Sequence, residues 1–444
     1  MTALSDFFSL TPTSQQSNAL NSIGEFLEND KLDFFILSGS AGTGKTTLLK
    51  AVTDYLDSND VQFYIAAPTT SAAKIVQQKT GFPSKTIHSL IYEPIQLKHG
   101  VGVEFKRKLN INKSESIFII DESSMISNKL SRSESFVSKS PLLTDLLKYI
   151  KEGNKKNKVI FIGDNCQLTP INEFFSPALE ETYLESNFGL KGRKEELTEV
   201  KRQGEGSYIL ANATKLREAI KAGGTNFNIS CNMLPKSTAA LHKYIDLFDP
   251  SNPNKITVLA WTNKDVNWFN NAIRDRLGFN PEPLSIGDHI FLNQNWMNNR
   301  VFLMKGEKGT ITDIGSNFEK YADLNFVNVS VQILDEMGNP FTIKSKVLLE
   351  SLYSKTGELS REQESNLFAE VMKHNGKFRE TRKLSDDKYL GALRLRFNYA
   401  TTCHKAQGGE WENVILHPYF NKDDLRWQYT AVTRASKELY SFAA

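Results

Sequence analysis

"GSAGTGKTT", residues 39 to 47, is the stretch on which the reading of this sequence turns. It follows the apolar run Phe34-Phe35-Ile36-Leu37 and precedes Leu48-Leu49-Lys50, so it occupies a turn between a buried strand and a helix. Gly39, Gly44, Lys45 and Thr46 complete the pattern G-x-x-x-x-G-K-[ST] in the strand-to-helix context it requires. Glycines let backbone N–H groups turn inward around phosphates, and the following helix adds its positive end. Gly39, Gly42, Thr43, Gly44, Lys45, Thr46 and Thr47 are therefore the candidate nucleotide cradle. Lys45 is expected on the β- and γ-phosphates of ATP and the Thr46 hydroxyl on Mg²⁺.

Outward from this turn, short apolar runs alternate with helical patterns from Leu32 to about Ile171. Strands are expected at 34–37, 62–66, 117–120 and 159–162, and helices at 46–57, 71–79 and 141–151. This is the rhythm of a parallel sheet covered on both faces. It returns with a strand at 256–260, a helix at 265–277 and strands at 392–400 and 414–416, which predicts a second α/β domain. Between 283 and 387, short runs joined by Gly and Asn turns predict a β-rich insertion. The irregular stretch 91–112 contains "GVGVEFKRK", read as a β-hairpin, and the Ser-rich stretch 131–141 reads as a solvent-exposed loop.

The bulk numbers bound the rest. A chain of 444 residues predicts roughly two to four domains. Its composition, 40% hydrophobic and 24% charged, is that of a globular protein, and a net charge of +3 means that nucleic-acid binding requires a local groove. The spacing of Cys166, Cys231 and Cys403 argues against a disulfide framework or a zinc site and for a reducing, cytoplasmic compartment. No Lys or Arg occurs in the first thirty residues and no apolar run reaches bilayer length, which argues against targeting peptides and membrane anchors.

The chemistry of the site gathers at strand ends. "SIFIIDESSM" closes an apolar run with Asp121-Glu122, where Asp121 can hold Mg²⁺ through water and Glu122 can orient and deprotonate an attacking water. "VIFIGDNCQLTPI" puts Asp164 and Gln167 at the same sheet edge, with Gln167 placed to report on a γ-phosphate. Arg202 in "LTEVKRQ" and Arg434 in "QYTAVTRA" are cations from outside the phosphate loop's own domain, of the kind that γ-phosphate charge demands.

Taken together, these motifs resemble superfamily 1 helicases of the 5′-to-3′ RecD/Dda-like branch, over nearly the whole chain and in the family's order. "LTPTSQQSNAL" resembles the adenine-reading segment, "GSAGTGKTT" motif I, "AAPTTSAAK" motif Ia, "KTIHSLI" motif Ib, "IIDESSM" motif II and "GDNCQLTPI" motif III. "LTEVKR" is similar to motif IV, "LAWTNKDVNWFNNAIR" to the segment after it, "TTCHKAQGGEWENVIL" to motif V and "YTAVTRA" to motif VI.

The resemblance implies two RecA-like P-loop NTPase domains in an α/β fold, with ATP in the cleft between them. It places the first at 1–90 and 113–200 and the second at 201–282 and 388–444, a pin hairpin at 91–112 and an SH3-like insertion at 283–387. It adds Gln16 as the contact to the base amide, Tyr429 near base or ribose, and Glu410 at the ribose. DNA-backbone roles fall to Pro68, Thr69, His88, Asn263, Thr402 and His404, residue types that bind phosphate without reading sequence. Within the pin, Phe105 would stack on the last base pair while Lys106, Arg107 and Lys108 hold phosphates, and the basic tail 373–383 would help complete a DNA channel.

The implied partners are single-stranded, duplex and fork DNA, and single-strand-binding, replication or recombination proteins, with a monomer as the working unit. Three other readings stay open on sequence alone: an ATP-gated clamp or translocase, a different phosphate-loop enzyme, and the helicase subunit of a nuclease complex. The Asp121-Glu122 pair and Arg434 favour turnover over a clamp, and the second option leaves motifs V and VI unexplained.

Overall fold

The computed structural model describes residues 3–96, 103–130, 132–133, 136–137, 140–199, 208–298, 301–335, 338–355 and 357–443. Its first layer is a parallel six-stranded sheet ordered Gly192–Leu197, Phe34–Gly39, Lys158–Gly163, Ile117–Ile120, Phe63–Ala67, Ser84–Thr86. Its inner strands are continuous apolar runs because helices cover both faces. Successive side chains alternate between those faces: Phe35 and Leu37 enter one core cluster, Phe34 and Ile36 the other.

A second parallel sheet follows, ordered Asn232–Leu234, Ala435–Phe442, Trp411–Leu416, Ile256–Ala260, Ala400–Thr402. The same alternation puts Val258 and Ala260 on one face and Leu259 on the other. The expected strand 392–400 is in fact divided. Leu395–Phe397 pairs antiparallel with His289–Leu292, and after a break at Asn398 and Tyr399 the chain re-enters the parallel sheet at Ala400–Thr402. One apolar run thus serves two sheets, which periodicity cannot reveal.

The β-rich insertion is a five-stranded antiparallel sheet ordered Pro340–Leu348, Leu324–Leu334, Lys308–Tyr321, His289–Leu292, Leu395–Phe397. Its inner face joins the core of the second parallel sheet, since Val327, Val331, Leu395 and Phe397 share a cluster with Val258 and Ile273. A fully buried ion pair fastens the junction: Arg274 donates from Nε to Asp288 Oδ1 (2.8 Å) and from a terminal nitrogen to Oδ2 (2.9 Å). Tyr399 donates to the same carboxylate (2.8 Å), and the guanidinium lies 4.2 Å above the Phe397 ring. The insertion also reaches the first domain, where Lys74 pairs with Glu307 (2.8 Å) and the Thr86 hydroxyl meets Met304 Sδ (2.9 Å).

The basic tail 373–383 ends the helix Arg361–His374 and forms Gly376–Thr381, packed on the sheet through Phe378. One further expectation is corrected. The Ser-rich stretch contains strands Arg132–Ser133 and Phe136–Val137, which extend the hairpin formed by Tyr92–Gln96 and Val103–Arg107 into a four-stranded sheet.

Candidate nucleotide cleft and nucleic-acid crest

The phosphate-loop motif forms the turn between Phe34–Gly39 and the helix Lys45–Ser58. Gly44 adopts φ +86°, and a Cβ there would lie 2.5 Å from Gln16 Nε2, so both conformation and space demand glycine. Lys45 Nζ donates to the carbonyls of Gly39 (2.6 Å) and Ser40 (2.9 Å), both neutral hydrogen-bond partners. Gln16 lines the cavity, but its amide is engaged on both sides. Its Nε2 donates to the Thr43 carbonyl (2.9 Å) and its Oε1 accepts from Thr13 N–H (2.9 Å), closing a helix capping box.

The facing strand ends converge on one cavity of about 1000 Å³, lined by residues of both parallel-sheet domains. From the first come Gly42, Gly44, Lys45, Thr46, Thr47, Asp121, Glu122 and Gln167; from the second come Glu410 and Arg434. Burial, and then the Glu122 charge, hold the Asp121 carboxyl above the ordinary carboxylate range, while Lys45 and Lys79 pull it down. Glu122 sits at φ 50° and ψ 37°, a left-handed conformation uncommon for a residue with a side chain. Gln167 Oε1 is buried with no hydrogen-bond partner among the described residues, an arrangement that costs about 1–3 kcal/mol unless a ligand group answers it.

On the opposite wall Arg434 is 5% exposed. It donates to the carbonyls of Thr430 (3.0 Å) and Gly409 (2.9 Å) and to the Thr433 hydroxyl (3.2 Å), again all neutral. Arg202 lies outside the described residues. Tyr429 is corrected: it is fully buried and is not part of the cavity lining. Its hydroxyl donates to Asp164 Oδ2 (2.6 Å) and accepts from the phosphate-loop Ala41 N–H (3.2 Å), which leaves no face for a base or ribose.

Pro68 and Thr69 follow the strand Phe63–Ala67, and the Thr69 hydroxyl accepts from Ala72 N–H (3.2 Å) at the start of helix Thr70–Thr80. In the second domain the exposed Asn263 opens helix Asn263–Arg276, while Thr402 ends its strand and the exposed His404 follows on the short helix Cys403–Ala406. Gly408 brings the two groups together, since a Cβ on it would meet Ala72 Cβ at 2.8 Å and Thr69 Oγ1 at 3.2 Å.

His88 and Phe105 are placed differently from expectation. Phe105 is only 7% exposed and packs at the root of the hairpin with Tyr92 (5.8 Å between rings) and His88 (5.8 Å). It is a core residue there, because strand alternation turns it inward while Lys106 faces solvent. Burial pushes the His88 imidazole down to about 4, so it is neutral near pH 7 and offers no charge to a phosphate. The basic triplet is likewise engaged by the fold. Arg107 pairs with Glu152 (2.7 Å) and Asp145 (3.7 Å), Lys106 with Glu93 (3.7 Å), and Lys108 donates to the Ser89 carbonyl (2.7 Å).

Two family models match the chain: one described as an AAA domain over residues 13–228, the other as a UvrD-like helicase C-terminal domain over residues 397–440. The ATP-dependent DNA helicase dda of Enterobacteria phage T4 is 28% identical over 292 residues, covering 64% of this chain and 61% of that protein. The RecD subunit of the RecBCD enzyme of Buchnera aphidicola subsp. Schizaphis graminum is 24% identical over 486 residues, covering 93% of this chain and 70% of the subunit. Together these matches make the chain similar to superfamily 1 helicases of the Dda and RecD type. A crystal structure of a Pif1 helicase from Bacteroides in complex with ADP-AlF3 and ssDNA shares the fold, with a TM-score of 0.50 at 17% identity over 98% of this chain and 92% of that one.

Some residues beside the cleft carried no signal in the sequence. Arg217, on helix Tyr208–Lys221, donates to the Ser40 hydroxyl of the phosphate loop (3.0 Å). Arg426 donates to the carbonyls of Asn165 and Gln167. Arg217 is one of several cations on its helix and Arg426 sits on a helix whose other residues are buried, and only the approach of the two domains gives either its meaning. Among the described residues, no helix of the chain is long and apolar enough to cross a membrane.

Proposed function

We propose that the chain is an ATP-dependent DNA helicase that moves 5′ to 3′ on single-stranded DNA and unwinds duplex DNA. The observation that carries this reading is the single cavity with Lys45, Asp121, Glu122 and Gln167 on one wall and Arg434 on the other. A ligand bridging the two walls draws the domains together, and its hydrolysis releases them. Glu122 takes the proton of the attacking water, Gln167 answers the γ-phosphate, and Arg434, with Arg202, stabilises the charge that builds there. Thr46 and Asp121 would hold Mg²⁺, Asp121 through water, and the ion neutralises phosphate charge when bound; both residues line the cavity and offer the oxygen donors that this ion takes. Gln16 and Glu410 flank the base and ribose end.

Pro68, Thr69, Asn263, Thr402 and His404 form the strand-gripping crest, with His88 contributing at most a neutral hydrogen bond. Division into two RecA-like domains, a pin and an SH3-like insertion is part of the same proposal. Its partners are single-stranded and fork DNA and the single-strand-binding, replication or recombination proteins that act there, for a monomer in the cytoplasm of a bacterial or phage-infected cell.

ATP hydrolysis with and without single-stranded DNA, paired with unwinding of duplexes bearing a 5′ or a 3′ tail, tests this. Strong stimulation with unwinding from the 5′ tail alone is expected. A second reading, a translocase or clamp without processive unwinding, is favoured by the burial of Phe105, which removes the expected wedge. Stimulation without strand separation would select it.

A further inference from the structure

One helix of the second domain, Leu425–Val432, makes hydrogen bonds into two catalytic segments of the first. The Tyr429 hydroxyl joins Asp164 Oδ2 (2.6 Å) to the phosphate-loop Ala41 N–H (3.2 Å). Asp164 Oδ1 in turn accepts from Cys166 N–H (2.9 Å), which shapes the turn that carries Gln167. The next residue, Thr430, accepts from Leu168 N–H on its hydroxyl (2.9 Å) and from Arg434 Nε on its carbonyl (3.0 Å). Gln407 closes the set by donating to the Leu168 carbonyl (3.0 Å). The phosphate loop and the Gln167 turn therefore meet at one buried phenol, and the Arg434 guanidinium is held by the carbonyl of the next residue, Thr430.

We propose that Tyr429 is a positioning residue whose hydroxyl sets Gln167 and Arg434 jointly against the phosphate loop, so that it governs turnover and not nucleotide affinity. The inference rests on the ATP-hydrolysing reading of the cleft. Tyr429 touches no lining surface, so the hydroxyl acts only through the groups it holds. Burial and the adjacent Asp164 carboxylate keep the phenol protonated, as its donor role requires. Removing the hydroxyl leaves Asp164 Oδ2 and Ala41 N–H without this shared partner, while the Thr430 and Gln407 bonds to Leu168 remain, so the coupling of the two walls is loosened at the phosphate loop. Networks of this kind act as a unit, so their members are not additive.

Tyr429→Phe keeps the ring in its core of Cys166, Leu168 and Trp427 and deletes only the hydroxyl. Steady-state ATP hydrolysis, with and without single-stranded DNA, gives kcat, and titration with a non-hydrolysable ATP analogue gives affinity. A fall in kcat of roughly tenfold or more with affinity held within about threefold is expected. Asp164→Asn should do the same, and the double variant should be no worse than the worse single one. An unchanged kcat, a loss confined to affinity, or additive losses would overturn the inference. If the wild-type protein hydrolyses ATP without DNA stimulation, the helicase reading fails, while the ratio of variant to wild-type kcat still decides the role of Tyr429.

Discussion

Arg434 in the cleft and Arg107 at the hairpin root are both arginines enclosed by oxygen, and the kind of oxygen separates them. Arg107 faces the carboxylates of Glu152 and Asp145, so its charge is cancelled within the fold. Arg434 faces two carbonyls and a hydroxyl, which orient it and cancel nothing. Lys45 repeats the cleft pattern, with the carbonyls of Gly39 and Ser40 as its partners. Among the described residues neither cleft cation makes an ion pair. The difference teaches that a basic residue is read as a site by what neutralises it. By that test the cleft retains charge for an anion and the hairpin root does not.

The sharpest way to break the comparison is to remove the cleft cations. Lys45→Ala should abolish ATP turnover, and Arg434→Ala should lower kcat by roughly 10³ while nucleotide binding, followed by equilibrium titration, largely survives. A near-normal rate in either variant would erase the distinction. At the hairpin, Phe105→Ala should act as a core truncation and lower unfolding stability by about 3–5 kcal/mol in urea melts. Stability within experimental error of wild type, with unwinding selectively lost, would restore Phe105 as a wedge.

His88 sharpens the comparison through pH. Its folded-state value lies below the ordinary 6.5, so the unfolded chain takes up the proton first. Stability from this group is present in full above about 6.5, declines as pH falls toward about 4 and then levels off. Melting curves across that window should show a shallower decline in His88→Gln than in the wild type, because His289, His404 and His417 are also lowered and keep their own share. The smallest effect belongs to Arg107→Ala. A partly exposed pair of this kind contributes about 1 kcal/mol or less, and the salt dependence of DNA binding should be unchanged. A salt slope reduced by about one would make Arg107 a phosphate contact after all.

Much of the nucleotide site was legible because its rules are local. Gly44 needs a left-handed backbone and Lys45 follows it, Asp121 ends a strand that is apolar throughout, and each expected strand of the first sheet appears within about two residues. What stayed hidden depends on distant partners. The inward face of the hairpin is defined only by what covers it, so Phe105 read as a tip residue and packs as core. Tyr429 lies next in sequence to residues of the cleft, yet its role comes from Asp164 and Ala41, whose proximity no spacing rule encodes. Arg217 and Arg426 escaped for the same reason.

The shared core of the second parallel sheet and the antiparallel sheet has a mechanical consequence. With Val258 and Val331 in one cluster and Arg274 clasped to Asp288 across the junction, the two sheets are a single stiff body. Any swing of that body about the cleft is delivered in full at its far side, where Lys74 meets Glu307 and Thr86 meets Met304. A swing of that body would carry the insertion with it and would strain these light contacts, with the Lys74 bond to the Leu334 carbonyl, before anything in its own core.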